Sequence, residues 1–485
     1  MGRRLAAVDL GAESGRVVAG SFDGERLGVR EVHRFPNRPV AVAGTLHWDA
    51  LRLFADVVDG LRAAGPVDSI AVDTWGVDFG LLDRAGRLLG NPVHYRDRRT
   101  AGMLAEADRR LPAAEAYART GVQLLEINTV YQLLAMRLAG DPQLDAADRL
   151  VLMPALFSAW LGGTAVNELT DASTTGCYDP RAGGWALDVL ERLDIPGRLF
   201  GEIVPPGTDL GPVLPALDLG RPRVVATASH DTASAVAAVP FEPGRAGAYV
   251  SSGTWSLVGV EASEPVIGPD ALAANLTNEA GVDGTVRLLR NVMGLWLLQE
   301  CRRAWAHGSY EDLTAMAEAA PPFGPLVDPD DQRFLRPAGD LPADIARACR
   351  ERGQAAPREP GEVVRCVLES LALRCGWVLG RLEAVTGRRV EVVHVVGGGA
   401  GSRLLCQLTA DACGRPVVAG PMEATAIGNL LVQARAAGLV GSLDEGRELV
   451  RRSFPLVRYE PRPDERWEQA RARFEALLGA GERVL

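Results

Sequence analysis

Lysine is absent from this sequence: all 52 basic residues among the 485 are arginine. Every chemistry that needs an ε-amine is thereby excluded. Lysine Schiff bases, pyridoxal-lysine catalysis, the lysine of a Walker A loop and the ATP lysine of protein kinases all fall away. Histidine is scarce, with six residues. None has the H-x-x-x-H spacing of a helical ligand pair, which argues against transition-metal catalysis. The seven cysteines include no C-x-x-C pair, so neither a zinc ribbon nor a disulfide scaffold is expected, and free thiols in a reducing cytosol are. No apolar stretch reaches the ~18 residues of a membrane span. The opening MGRRLAAVDLGAESGR runs into a polar turn too soon for a signal-peptide core. A soluble, cytoplasmic protein is the expectation. Blocks of like charge are missing too: the net charge is -10 and no run reaches five. The electrostatic footprint of a nucleic-acid-binding protein is therefore lacking. An acidic protein that holds an anion must do so locally, with backbone amides, arginine or a metal ion.

What is present suits a large α/β chain. Hydrophobic residues make up 47% and charged residues 24%, ordinary for a globular protein with room for more than one core. Apolar runs and turn signals predict strands over 5–10, 16–22 and 27–35. A helix is predicted over 49–64, where Leu51, Phe54, Val57, Val58 and Leu61 recur at helical spacing. A buried strand over 69–73, helices around 100–110 and 129–139, a Pro- and Gly-rich surface loop over 202–222 and a strand over 224–228 follow. Pro240-Phe-Glu-Pro-Gly244 reads as a junction, dividing 1–240 from 241–485. Beyond it the opening pattern recurs: strand 247–252, a small-residue turn, strand 255–261 and a third strand over 286–291. A long helix over 362–386 precedes the strand 392–396, the turn Gly397-Gly398-Gly399 and a helix from about 402; residues 462–485 also read as helical. A duplicated α/β architecture with a cleft between its halves is the economical reading.

Five motifs carry candidate chemistry, each with a plainer alternative. Asp9 to Arg16 is a tight hairpin whose amides can hold phosphate oxygens, with Asp9 placed to hold a hydrated Mg²⁺; it is equally an ordinary β-hairpin. Ser251-Ser-Gly-Thr254 heads the second half in the same way, with a hydroxyl at Thr254. Gly397 to Ser402 lies between a strand and a helix but fails the G-x-G-x-x-G pattern, because Ser402 occupies its third glycine. Its glycines suit either a flat-lying adenosine or a tight turn. Asp231, in His230-Asp231-Thr232, can accept a proton from an attacking hydroxyl or can cap the helix that begins there. A helix N-terminus would favour its ionised form and make it a weak base. Asp73-Thr-Trp-Gly-Val-Asp78 offers the Trp75 face and the Gly76 backbone to a sugar, or simply packs a core.

Taken together, AVDLGAESGRV, DTWGVDF, YRDRRT, NTVYQL, LMPALFS, ASHDTASAV, YVSSGTWSLVG, AANLTNE, RNVMGLWLLQE, VVGGGAGSRLLCQLTADACG and GPMEATAIGN resemble, in order, the FGGY family of carbohydrate kinases. The resemblance spans roughly residues 5 to 460. DTWGVDF, NTVYQL and ASHDTAS with SSGTWS are similar to the branch that phosphorylates L-rhamnulose. The resemblance implies an α/β fold of the actin-like ATPase (RNase H-like) class, with two duplicated α/β domains flanking a cleft. The sugar side would lie in 1–240 and the nucleotide side in 241–485. It implies ATP-dependent phosphorylation of L-rhamnulose at its C1 hydroxyl in L-rhamnose degradation.

By the same resemblance Asp231 falls on the general base. Gly76, His230, Asp231, Thr232 and Asn291 fall on substrate-contacting positions. Ala12, Glu13, Ser14, Gly15, Arg16, Thr254, Gln299 and Gly398 fall on ATP-contacting positions, and Asp9 on the acid that positions Mg²⁺. The implied partners are a sugar and ATP, with no nucleic acid and no membrane; a monomer is favoured. Glu13 departs from the small or hydroxyl residue usual in the hairpin, and Glu126 is unusual on the presumed sugar side. The rivals are another ketose or polyol kinase of the family, for fuculose or xylulose, and a non-catalytic sugar or nucleotide sensor on the same fold.

Overall fold

The computed structural model describes residues 3–305, 309–335 and 339–479. The chain divides into two compact units. Unit 1 comprises 1–240, 261–288 and 424–454; unit 2 comprises 241–260, 289–423 and 455–485. Pro240 ends the first segment, but 261–288 and 424–454 pack within unit 1 as well, so the units differ from a single division at residue 240. The last helix, Arg466–Gly479, buries Trp467, Ala470, Phe474 and Leu478 in the core of unit 2; residues 480–485 lie outside the described residues. Among the described residues no helix is long and apolar enough to cross a membrane.

Unit 1 is built on β1 (Arg3–Leu10), β2 (Ser14–Phe22), β3 (Leu27–Pro36), β4 (Ser69–Thr74), β5 (Asp209–Pro212) and β6 (Arg223–Val225), in the order β5-β6-β4-β1-β2-β3. β1 to β3 form an antiparallel meander, and β4 and β6 join in parallel. Parallel addition requires a crossover, and the helix Ala50–Ala64 supplies it. Asp49 caps that helix, its Oδ1 accepting from the Arg52 amide at 3.2 Å, while Leu53, Val57, Val58 and Leu61 bury one face. β1 and β4 are almost wholly buried, as continuous apolar runs in a covered parallel sheet must be.

Two expectations in this unit shift. Part of the loop 202–222 is an edge strand: β5 pairs antiparallel with β6 across a register shift between Asp209 and Gly211. The strand expected over 224–228 ends at Val225. Beyond it the amides of Ser229 and His230 are taken by the Glu168 carboxylate (2.9 Å) and the Thr170 hydroxyl (3.2 Å) rather than by a neighbouring strand. Side chains here take these two amides, while β4 keeps hold of the segment: the Thr74 amide donates to Ser229 O at 2.9 Å, and Thr74 bridges His230 in parallel.

Unit 2 repeats the plan with β7 (Gly247–Ser252), β8 (Trp255–Ala262), β9 (Val286–Met293), β10 (Val392–Val396), β11 (Val417–Ala419) and β12 (Val457–Tyr459). β7 pairs antiparallel with β8 and parallel with β10, and β11 extends the parallel run. The chain passes between units within β8 and β9. The 27-residue helix Pro360–Thr386 packs its Val363, Val364, Val367 and Leu371 into the principal core of the unit with Phe334, Trp296 and Phe474.

Candidate active site

In unit 1 the sheet directs a set of carboxylates to the C-terminal ends of β1 and β4. Asp9 and Asp73 are paired residues on these parallel strands. Arg16 lies opposite Asp9 across the hairpin and gives Asp9 Oδ2 two hydrogen bonds, from Nε at 2.8 Å and Nη2 at 2.6 Å. Asp73 is fully buried. Its Oδ2 accepts from Asn429 Nδ2 at 2.6 Å, while its Oδ1 has no partner. Burial, the Asp9 charge and the Asp231 charge push the Asp73 carboxyl well up, against the pull of Asn429 and Arg16.

The turn that joins β1 to β2 holds the predicted ATP-contacting run. Gly11 N donates to Ser14 O at 3.0 Å. Asn37 pins the turn from β3's end: its amide donates to Glu13 O at 2.9 Å and its side chain to Gly11 O at 2.9 Å. A side chain at Gly15 would collide with the Phe35 ring. Ala12 and Ser14 sit half-buried in this turn.

His230 and Asp231 open the helix Asp231–Ala237. His230 is the N-cap and Asp231 the first helical residue, and no side chain makes a capping bond. The capping alternative for Asp231 is thus not what is found. The Asp231 side chain keeps 30% of its surface open, and the protein packed around the remainder desolvates its carboxylate. That burial, with the Asp9 charge, raises its pKa against the opposing pull of His230. The raised pKa runs against the weak-base expectation from the helix end: desolvation and the Asp9 charge outweigh the pull of His230 and Thr232. Thr232 Oγ1 donates to Asp231 Oδ1 at 3.1 Å. His230 Nε2 lies 3.4 Å from the same oxygen. Its Nδ1 faces Arg287 Nη2 at 3.2 Å and Glu279 Oε2 at 3.4 Å.

A helix from the far end of unit 1, Ala424–Ala436, backs this one. The contact is so close that a Cβ on Gly428 would overlap the Ser234 carbonyl. It brings Asn429 to Asp73 and Gln433 to the β1 and β4 backbone region, where Gln433 donates to Ala6 O at 3.0 Å and accepts from Ser69 Oγ at 2.6 Å.

Gly76 follows β4, and a Cβ there would come 2.9 Å from Thr174 Oγ1. Trp75 beside it is only 6% exposed, with its ring 4.0 Å from that of Trp48, which stacks in turn on His94 at 4.0 Å. The packing alternative holds for Trp75. Asp78 organises this stack: Oδ2 accepts from Trp48 Nε1 (2.6 Å), Trp75 Nε1 (3.0 Å) and the Tyr95 amide (3.2 Å), and Oδ1 from Gln132 Nε2 (2.9 Å). Burial pushes its pKa up to about 6 despite these donors. Glu126 braces the same region by accepting from the Gly102 amide at 3.0 Å.

Several residues here escaped the sequence reading. Asp171, in the helical turn Leu169–Ala172, is fully buried with neither carboxylate oxygen partnered. Burial and the charges of Glu168, Asp231, Asp78 and Glu279 raise its pKa well above the usual range. Glu279 and Arg287 form a buried ion pair at 3.0 Å. Their signal was an acid or arginine within an otherwise apolar or small-residue stretch. Asp171 in ELTDASTTG and Arg287 in TVRLLRN both fit that description.

The remaining predicted residues lie in unit 2. Thr254 occupies the turn between β7 and β8, and its carbonyl accepts from the Gly294 and Trp296 amides, both at 3.2 Å. Asn291 is on β9. Gln299, in the helix Trp296–Trp305, has a buried Oε1 without a partner. Gly397 takes φ +79°, and a Cβ there would stand 2.9 Å from Ser252 O. Only glycine suits that combination of left-handed backbone and close approach. It brings the turn 397–401 against the end of β7. At Gly398 a Cβ would meet nothing within 4 Å, so the glycine turn presents open backbone surface. Ser402 caps the following helix Arg403–Cys413.

The arrangement can therefore offer a set of carboxylates in unit 1, and uncharged turns with open backbone in unit 2. Models of the FGGY family of carbohydrate kinases match both parts of the chain, the N-terminal domain over 5–238 and the C-terminal domain over 248–437. A protein of Bacteroides thetaiotaomicron described as rhamnulokinase is 43% identical over 483 residues, covering 98% of this chain and 99% of that one. The rhamnulokinase of Klebsiella pneumoniae strain 342 is 41% identical over 479 residues, 98% of each chain. Among solved structures, a gluconate kinase of Lactobacillus acidophilus superimposes with a TM-score of 0.80 at 17% identity, covering 99% of this chain and 98% of that one. A Plasmodium falciparum glycerol kinase with ADP gives 0.76 at 16%, covering 100% and 98%. These structures share the fold, and the full-length relatives share the sequence: the chain belongs to the FGGY family of carbohydrate kinases.

Proposed function

We propose that this protein transfers the γ-phosphoryl group of ATP to the C1 hydroxyl of L-rhamnulose, giving L-rhamnulose 1-phosphate and ADP, as a step of L-rhamnose degradation. The observation that carries this reading is the 43% identity, over nearly the whole chain, with a relative described as rhamnulokinase. The C1 hydroxyl oxygen attacks the γ-phosphorus, the bond to the β–γ bridging oxygen breaks, and the proton of that hydroxyl passes to the Asp231 carboxylate. A raised pKa suits this role, because a base works best with a pKa near the operating pH. Burial and the neighbouring Asp9 charge supply that rise.

In this reading the proton-accepting carboxylate lies in unit 1 and the glycine turn proposed for adenosine in unit 2. Gly76, His230, Thr232 and Asn291 hold the sugar. Ala12 to Arg16, Thr254, Gln299 and Gly398 hold ATP. The unpartnered Oε1 of Gln299 supports its part, since a buried amide oxygen without a donor is costly unless a ligand supplies one. The seven free thiols suit a reducing cytosol.

Mg²⁺ fits the carboxylates of unit 1. Asp9 and Asp73 offer hard oxygen donors, and Asp73 Oδ1 is an orphan. Among the described residues no group of three or more acidic, histidine or cysteine side chains forms a closed cage. A hard cation held through one or two carboxylates, with water and phosphate oxygens completing its shell, matches that donor set. When bound, the ion neutralises phosphate charge; Asp9 is the residue proposed to hold it.

A coupled ADP-release assay with Mg-ATP tests the reading across L-rhamnulose, L-fuculose, D-xylulose, L-ribulose and glycerol. Preference for L-rhamnulose is expected. Preference for another sugar would move the substrate within the family, and no turnover with any would favour a sensor.

A further inference from the structure

We propose that Arg287 sets the tautomer of His230: by donating to Nδ1 it keeps the ring proton on Nε2, where the imidazole donates towards Asp231. Arg287 and its counter-ion Glu279 are thereby positioning residues for the base. This rests on the assignment of Asp231 as the base and deepens it.

A neutral imidazole carries one N–H and one lone pair. Nδ1 of His230 meets two groups with opposite demands. Arg287 Nη2, at 3.2 Å, can only donate; Glu279 Oε2, at 3.4 Å, can only accept. Arg287 prevails for two reasons. It is the nearer, whereas Glu279 Oε2 makes no hydrogen bond and only an ion pair with Arg287 Nη1 at 3.0 Å. The guanidinium is also fully buried and held in plane by its Nε, which donates to Ala280 O at 2.9 Å, and it does not deprotonate. The lone pair therefore sits on Nδ1 and the proton on Nε2, 3.4 Å from Asp231 Oδ1.

That choice has two consequences. The Nε2–H and the Thr232 hydroxyl both donate towards Asp231 Oδ1, orienting the carboxylate. A ring already protonated at Nε2 cannot take the sugar's proton there, so the proton goes to Asp231. Were Glu279 to hold an Nδ1–H instead, the Nε2 lone pair would oppose a carboxylate oxygen. The other charged groups acting on Asp231 are Asp9 from β1, Asp73 from β4 and Asp171 from the turn 169–172; Arg16 acts more remotely, through Asp9. Three of these four are negative, so a lost Nε2–H donor is not replaced.

The test is ¹⁵N NMR of histidine-labelled protein, with His230 assigned by its loss in His230→Gln, alongside pH profiles. Wild type and Glu279→Gln are expected to show Nδ1 unprotonated and Nε2 protonated, and Arg287→Met the reverse. In Arg287→Met the acid limb of kcat/KM for the sugar should move up by about one pH unit, because Asp231 must ionise without its donor. The KM for ATP should hold, and Arg287→Lys should restore part of the profile. An Nδ1–H ring in wild type, or an unchanged tautomer in Arg287→Met, overturns the proposal. A loss of rate equal at every pH overturns the positioning role. If Arg287→Met does not fold, the wild-type and Glu279→Gln spectra still decide the tautomer. Failure to phosphorylate any sugar would overturn the kinase reading, whereas the spectra judge the tautomer alone.

Discussion

The two strand-turn-strand openings of this chain share a topology and differ in chemistry. In unit 1 the paired positions near the ends of parallel strands are Asp9 and Asp73. In unit 2 the corresponding pair is Ser251 and Val396. The first turn is crossed by the Asp9–Arg16 ion pair; the second abuts a glycine turn in which Gly397 approaches Ser252 too closely for a side chain. The same scaffold thus supports charge on one side and bare backbone on the other. Buried carboxylates that raise one another's pKa suit proton transfer. Uncharged turns with open backbone suit a flat or anionic ligand. The repeated topology supplies the frame, and the residues at the strand ends differ in the chemistry they offer.

The largest effect should come from the charged side. Asp231→Asn keeps the shape of the site and removes the proposed base, so kcat should fall about 10³-fold while ATP binding, measured by calorimetry, is unchanged. Loss of both together would make Asp231 a structural residue and would dissolve the division between units.

Asp78→Asn probes the same side through stability. Asp78 accepts four hydrogen bonds in a buried site, and an amide can satisfy only part of them, at a cost of about 2–3 kcal/mol in denaturant unfolding. The pH dependence is sharper than the magnitude. Burial raises the folded-state pKa to about 6, above its value in the unfolded chain. The contribution of Asp78 is therefore whole below the unfolded pKa and fades as pH climbs through about 6. The asparagine does not titrate, so the penalty of the variant should narrow from pH 5 to pH 8. Glu168, pushed up to about 7 by burial, titrates in both proteins and cancels. A penalty that widened with pH would mean that the four donors outweigh burial.

Much of this comparison was legible in the sequence, because it lies in local signals. The helix Ala50–Ala64 followed from apolar spacing, and β1, β2 and β7 to β10 from apolar runs and turns. What escaped depends on distant pairing. Nothing near residue 429 says that Asn429 meets Asp73, more than 350 positions away, or that the helix carrying it packs in unit 1. Asp78, Asp171, Glu279 and Arg287 were visible as residues but not as a site, since their meaning lies in burial and in neighbours from other segments. Trp75 was ambiguous for the same reason: a tryptophan beside glycine serves a sugar or a core, and Trp48, 27 positions upstream, decides it.

The smallest effect belongs to the uncharged side, and it isolates the role of open backbone. A Cβ at Gly398 meets nothing within 4 Å, and its φ, unlike that of Gly397, lies outside the left-handed region. Gly398→Val should therefore fold with unchanged melting temperature, within about 0.5 kcal/mol. Its branched side chain would occupy the space over the turn where adenosine is proposed to lie. The KM for ATP should rise about 10-fold, equivalent to ~1.4 kcal/mol, with the KM for sugar unmoved. The same substitution at Gly397 would force a left-handed valine against Ser252 and should lower stability instead. If both variants raised the ATP KM alike without loss of stability, the distinction between a structural and a ligand-facing glycine in this turn would fail. If Gly398→Val left the ATP KM unchanged, the nucleotide would have to lie elsewhere in unit 2, with Thr254 and the unpartnered Gln299 as the remaining markers of its place.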